Sequence, residues 1–150
     1  MEFISKNTKE TQKIAADLAC KIIKSKKRAI IALEGELGAG KTVFVKGFAK
    51  EFGVKTKVKS PTFVLMKKYP VPLKNNKTII KNIYHLDCYR INGIKELKIP
   101  EIKGIFFETD SVVLVEWPER IKKIIPSNII KVHIDHVSEN TREISVTSNF

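Results

Sequence analysis

Three glycines, a lysine and a threonine within eight residues carry the most specific chemistry in this sequence. Gly35-Glu36-Leu37-Gly38-Ala39-Gly40-Lys41-Thr42 fits the spacing G-x-x-x-x-G-K-[S/T]. Glycines let the backbone wrap close to oxygen atoms, with N–H groups turned inward as a nest for phosphate. A helix opening near Val43 adds a dipole that favours anions. In such a loop Lys41 would reach the β- and γ-phosphates, and Thr42 would offer its hydroxyl to Mg²⁺. A strand–helix turn alone needs neither the lysine nor the threonine. Gly35, Glu36, Leu37, Gly38, Ala39, Gly40, Lys41, Thr42 and Val43 are therefore the candidate nucleotide-binding set.

A phosphate loop also needs a carboxylate at the end of a neighbouring buried strand to organise the magnesium. "VVLVE", ending in Glu116, fits. An acid directly after four apolar residues is costly if it is simply buried. At a strand's carboxyl end it opens into the crevice where α/β sheets bind ligands. The reading is a Mg²⁺ role for Glu116, with the metal held through water, against an exposed strand-end glutamate.

Two further clusters could belong to the same site. In "YHLDCYR" (84–90), His85, Asp87 and Tyr89 share a face if the strand persists. Asp87 is the candidate catalytic carboxylate, orienting an attacking water or standing behind the metal. His85 is either part of that site or a packing histidine. In "SPTF" (60–63) Pro61 stiffens a turn and Thr62 presents a hydroxyl. A loop threonine after a phosphate-loop helix can sense the γ-phosphate and metal, which makes Thr62 a candidate switch residue. His133 and His136 read as surface or packing residues, and with no cysteine nearby a zinc site is not expected.

The elements that must position these residues follow from periodicity. Glu2–Ser5 reads as a short strand. Asn7 caps a helix with Glu10 at the reciprocal position, and Ile14, Ala15, Leu18, Ala19 and Ile22 form its inner face. "AIIAL" (29–33) and "SVVLVEW" (111–117) are continuous apolar runs, as in parallel strands covered on both faces. Phe44, Val45, Phe48, Ala49 and Phe52 mark a helix stopped at Gly53. Residues 63–86 suggest an antiparallel hairpin, its return strand at 78–86. Residues 92–105 suggest one or two short helices broken by Pro100. "PERIKKII" reads as a short helix, and the last two strands as a closing hairpin. The expected fold is α/β: a P-loop NTPase-like three-layer sandwich with a mixed, mostly parallel sheet, formed by residues 1–150 as one domain.

The composition is that of a soluble globular chain, with 43% hydrophobic residues and no apolar run long enough for a membrane helix. "MEFISKNTKE" is too polar for a signal peptide, so a cytoplasmic location is expected, with Cys20 and Cys88 reduced. The formal charge is +12 and lysine-heavy, denser in residues 1–60. "KIIKSKKR" (21–28) and "KTKVK" (55–59) could form a basic face suited to RNA or an acidic protein.

Taken together, Gly35–Thr42, Ser60-Pro61-Thr62-Phe63, His85-x-Asp87-x-Tyr89-Arg90 and Glu116-Trp117-Pro118-Glu119 resemble the TsaE (YjeE) family. These are the small P-loop ATPases of bacterial threonylcarbamoyladenosine (t6A) tRNA modification. The resemblance covers roughly residues 5–148. It implies an ATP- and Mg²⁺-dependent ATPase that works on the TsaB–TsaD pair to drive its turnover. tRNA would be met indirectly or through a basic face, and no membrane is involved. By position, Lys41 and Thr42 would bind phosphate and Mg²⁺, Thr62 would be the switch threonine, and Asp87 and Glu116 the two acids. Trp117 would sit close to the nucleotide. One region departs from the pattern: "INGIKELKIPEIKGIFFET" (91–109) lacks the family's Leu-Gly turn.

The main alternative is a small-molecule P-loop kinase. Such enzymes usually add a lid whose arginines clamp the transferred phosphoryl group, whereas only Arg90 and Arg120 are available near the site. A GTPase would need an N-K-x-D guanine-reading element, and "NNKTI" (75–79) lacks its Asp.

Overall fold

The two apolar runs are neighbours in one seven-stranded sheet. The computed structural model describes residues 1–61, 65–72 and 78–148, the side chain of Glu96 apart. Thr62 and Phe63, the centre of the expected switch, lie outside the described residues. β2 (Ala29–Glu34) pairs in parallel with β5 (Ser111–Glu116), Leu33 opposite Glu116. All six residues of β5 are buried, as a doubly covered strand requires.

The sheet order is β1-β7-β6-β2-β5-β4-β3. Its four central strands, β6 (Ile130–His136), β2, β5 and β4 (Asn82–Asp87), are mutually parallel. The flanks are antiparallel: β3 (Met66–Pro70) on β4, and β7 (Arg142–Ser148) between β6 and β1 (Glu2–Ser5). The fold is thus the α/β, P-loop NTPase-like class that the sequence suggests, and the closing hairpin is β6–β7.

Helices cover both faces. α1 (Thr8–Ser25) and α2 (Lys41–Glu51) lie on one, closing a core of Ala15, Leu18, Phe44, Phe48, Leu33 and Leu114 among others. α3 (Ile99–Phe107) covers the other, packing Ile102, Ile105 and Phe106 against Val113 and Val115. Asn7 Oδ1 accepts the Glu10 N–H at 2.9 Å, and the Glu10 carboxylate reaches back to the Lys6 N–H at 2.6 Å. The expected capping box is therefore present, shifted by one residue on its return arm. α1 and α2 cross closely at Gly47, where a Cβ would lie 2.5 Å from Gln12 Cα.

Three local expectations change. Pro100 does not break a helix; it sits in the first turn of α3, where its missing N–H has no helical partner to lose. A separate 3-10 turn, Ile94–Glu96, precedes it. The return strand begins at Asn82 rather than 78, because Thr78 Oγ1 accepts the Ile80 N–H and the Lys81 N–H turns to the Asp110 carbonyl. "PERIKKII" forms only a 3-10 turn, Pro118–Ile121.

Candidate functional site

Parallel pairing decides which acids reach the loop. Asp87 stands opposite Glu116 in the β4–β5 register, so both are at the carboxyl ends of neighbouring strands. Alternation places Ile83, His85 and Asp87 of β4, and Val112, Leu114 and Glu116 of β5, on the face that α2 covers. α2 starts at Lys41, immediately after the glycine loop, which brings Thr42 over that end.

The loop has the shape of an anion cradle. Gly35, Gly38 and Gly40 all have positive φ, and Gly40 precedes the first residue of α2. Gly35 is required twice over: its φ is +140° and a Cβ would lie 2.3 Å from the Ile134 carbonyl oxygen. The first helical hydrogen bond is Phe44 N–H to Gly40 C=O, so the preceding N–H groups at the helix start point to no carbonyl of their own helix. Such free N–H groups and the helix dipole suit phosphate.

Lys41 is only 5% exposed. Its ammonium donates to the carbonyls of Gly35 and Glu36 and lies 4.3 Å from the centre of the Trp117 ring. Burial pushes its pKa below the usual lysine value, opposed in turn by the charges of Glu116, Asp87, Glu119 and Glu36. Lys41 thus folds back on the loop's own carbonyls, with the charges of Glu116, Asp87, Glu119 and Glu36 around it.

Glu116 is 4% exposed, so it is not a solvated strand end. Its Oε1 accepts the Thr42 hydroxyl at 3.0 Å and faces His85 Nε2 at 2.8 Å. A hydroxyl and a carboxylate side by side are the hard oxygen donors Mg²⁺ prefers. Among the described residues no group of three or more His, Cys, Asp or Glu could hold a metal alone. Magnesium, which keeps several waters and shares phosphate oxygens, fits that sparse donor set.

Asp87 is held differently. Its Oδ2 accepts the Ser60 hydroxyl at 2.7 Å, its Oδ1 accepts the Tyr89 N–H at 3.0 Å, and its own N–H donates to the Leu65 carbonyl at 3.0 Å. It therefore ties down both flanks of the segment that carries Thr62. The expected His85, Asp87, Tyr89 face stops at Asp87, because the chain turns there. Tyr89 instead packs on Trp117, ring centres 4.9 Å apart. Trp117 adopts the left-handed region, φ 59°, which is strained for an aromatic residue and turns the chain sharply after Glu116. Cys88 is inert as a nucleophile, since burial, and secondarily the Asp87 charge, pushes its thiol up to about 12.

The site thus brings together Gly35, Glu36, Gly38, Ala39, Gly40, Lys41, Thr42, Asp87, Glu116 and Trp117. Leu37 projects from the loop, 69% exposed. The sequence marks Ser60 as part of the Ser-Pro-Thr-Phe cluster but assigns it no role, and gives no sign of Arg142. Arg142 Nε donates to the Ala39 carbonyl at 2.9 Å, binding the loop to the β6–β7 hairpin. Beside that contact, a cleft of about 480 Å³ is lined by Asn7, Thr11, Gly38–Gly40, Val43, Asn140 and Arg142.

The model of the family described as "Threonylcarbamoyl adenosine biosynthesis protein TsaE" matches residues 5–144, which span every side chain of this constellation. The chain belongs to the TsaE family. A tRNA threonylcarbamoyladenosine biosynthesis protein TsaE from Bacillus subtilis is 36% identical over 95% of this chain and 82% of its own length. Its counterpart in Rickettsia felis is 38% identical over 97% of this chain and 79% of its own. The crystal structure of YdiB from Bacillus subtilis superposes with a TM-score of 0.75 at 30% identity, covering 99% of this chain and 84% of that one. The family's place is in t6A biosynthesis. Among the described residues no helix is long and apolar enough to cross a membrane.

Proposed function

We propose that residues 1–150 act as one ATPase domain that binds ATP with Mg²⁺ and drives turnover of the TsaB–TsaD complex in t6A modification of tRNA. The observation that carries this reading is the Thr42–Glu116 contact of 3.0 Å at the foot of the glycine loop. It joins the hydroxyl and the carboxylate that a nucleotide-bound magnesium needs, from positions 74 residues apart. Mg²⁺, when bound, neutralises charge on the β- and γ-phosphate oxygens.

The chain's own groups divide the remaining work. Backbone N–H groups of the loop and the start of α2 hold the phosphates. Lys41 exchanges the carbonyls of Gly35 and Glu36 for phosphate oxygens. Asp87 orients the attacking water or the waters around the metal, and Thr62 senses the γ-phosphate. The nucleoside lies in the cleft between the loop, Asn7 and the β6–β7 turn. Trp117, its ring tilted against that of Tyr89 and beside Lys41, lies against the phosphates. A site this open is completed by a partner, so hydrolysis by the isolated chain is slow. tRNA is reached through the partner complex or through the lysine-rich face, and the protein works in the cytoplasm.

The test is capture of TsaB and TsaD on the immobilised chain with ATP, ADP or GTP. The proposal expects capture that depends on the nucleotide, with ATP and ADP giving different yields and GTP little effect. Capture that is absent, or indifferent to all three nucleotides, would overturn it.

A further inference from the structure

Buried histidines that serve only packing settle both ring nitrogens or give way to apolar residues. His85 does neither. It is fully buried on β4, and its Nδ1 has no hydrogen-bond partner among the described residues. Its Nε2 lies 2.8 Å from Oε1 of Glu116, on the neighbouring strand. An ionised carboxylate can only accept, so the hydrogen of that bond sits on Nε2.

The same oxygen accepts the Thr42 hydroxyl at 3.0 Å. Both bonds fall on Oε1, and neither takes Oε2. Two donors from two different elements, β4 and the first turn of α2, therefore fix one oxygen of a carboxylate that is 4% exposed. A glutamate side chain has three rotatable bonds. Without the ring beneath it, the carboxylate keeps, among the described residues, the Thr42 hydroxyl as its donor, and that is the hydroxyl a metal would engage.

We propose that His85 is a positioning residue: it holds Oε1 of Glu116 from below so that Oε2 faces the waters around a nucleotide-bound cation when Thr42 turns to that cation. It touches neither nucleotide nor reacting atoms. The proposal rests on the reading of Glu116 as the carboxylate that organises magnesium. Outer-shell partners of this kind typically change metal affinity 10–100-fold when removed.

The experiment measures ADP affinity from Trp117 fluorescence, without Mg²⁺ and across a Mg²⁺ titration, for the full chain and four variants. His85→Leu should raise the Mg²⁺ concentration for half-maximal effect about tenfold or more. Its magnesium-free ADP affinity should stay within about twofold of the parent. His85→Gln, whose amide can donate from nearly the Nε2 position, should restore most of the magnesium response. If His85→Leu does not fold, His85→Asn replaces it, since its shorter amide falls short of Oε1. An unchanged magnesium response in the Leu or Asn variant would overturn the proposal, as would equal loss in Gln and Leu together with lost magnesium-free binding. Glu116→Ala separates the two levels. If it shifts the magnesium response and His85→Leu does not, only the role of His85 fails. If Glu116→Ala shifts nothing, the reading of Glu116 fails first.

Discussion

Thr42 and Glu116 meet at 3.0 Å although they are 74 residues apart, because α2 starts over the carboxyl end of β5. The contact exists only if β5 lies next to β2, whose last residue leads into the glycine loop. It converts a loop motif and a strand-end acid into one site. Replacing Thr42 with Val keeps the shape and removes the hydroxyl. The expected result is a loss of Mg²⁺-enhanced nucleotide binding of about tenfold, roughly 1.4 kcal/mol, with little change in thermal midpoint. Isothermal titration with and without Mg²⁺ measures it.

Arg142 has a structural task at the glycine loop. It donates to the carbonyls of Ala39, Ser138, Glu139 and Thr141, so one guanidinium fastens the loop to the β6–β7 turn. Arg142→Ala should weaken ATP binding about five- to tenfold and lower stability by about 1–3 kcal/mol. Arg142→Lys should recover little, because one ammonium cannot span four carbonyls. Urea unfolding and nucleotide titration of both variants read the two effects separately.

Gly47 sets two effects of opposite sign against each other. In an open helix, Gly→Ala would stabilise by about 1 kcal/mol. Here the new Cβ would lie 2.5 Å from Gln12 Cα and carbonyl oxygen, which are backbone and cannot swing aside. Overpacking of this kind costs about 1–3 kcal/mol, and both atoms belong to a fixed helix. Gly47→Ala should therefore be less stable in urea, while its folded fraction binds nucleotide as the parent does.

His133 gives a pH dependence. Burial alone would lower its pKa, but the hydrogen bond and charge of Asp135, then those of Glu34, together outweigh it, so it lies above 6.5. A folded pKa above the unfolded one contributes stability that is complete below pH 6.5 and is lost as pH rises through the folded value. His133→Gln should thus lower the thermal midpoint most in acid, with the gap to the parent closing above that range. A gap that is constant or widens with rising pH would contradict the assignment. All three side chains are substantially exposed, so the effect should also shrink at high salt.

Much of this was legible from sequence where local patterns suffice. The runs at 29–33 and 111–117 announce doubly covered strands, and the glycine spacing announces the loop. Glu116 stood out because a carboxylate after four apolar residues needs a reason. The remainder depends on register and distance. Only the register of β4 beside β5, which brings His85 to Glu116, separates His85 from a packing residue. Arg142 reaches Ala39 across 103 residues, which no local pattern encodes. The expected Tyr89 face failed because the Asp87 side chain captures the Tyr89 N–H and ends the strand. Pro100 suggests a break in the sequence because a proline stops a helix from within, yet it opens one from its first turn.

The most direct test of the account follows the γ-phosphoryl group. The chain is incubated with γ-labelled ATP and Mg²⁺, alone and with TsaB–TsaD. Under the account the label leaves as inorganic phosphate, slowly for the chain alone and faster with the complex, and Lys41→Ala abolishes it. Label recovered in a phosphorylated small molecule, or a rate that TsaB–TsaD leaves unchanged, would contradict it.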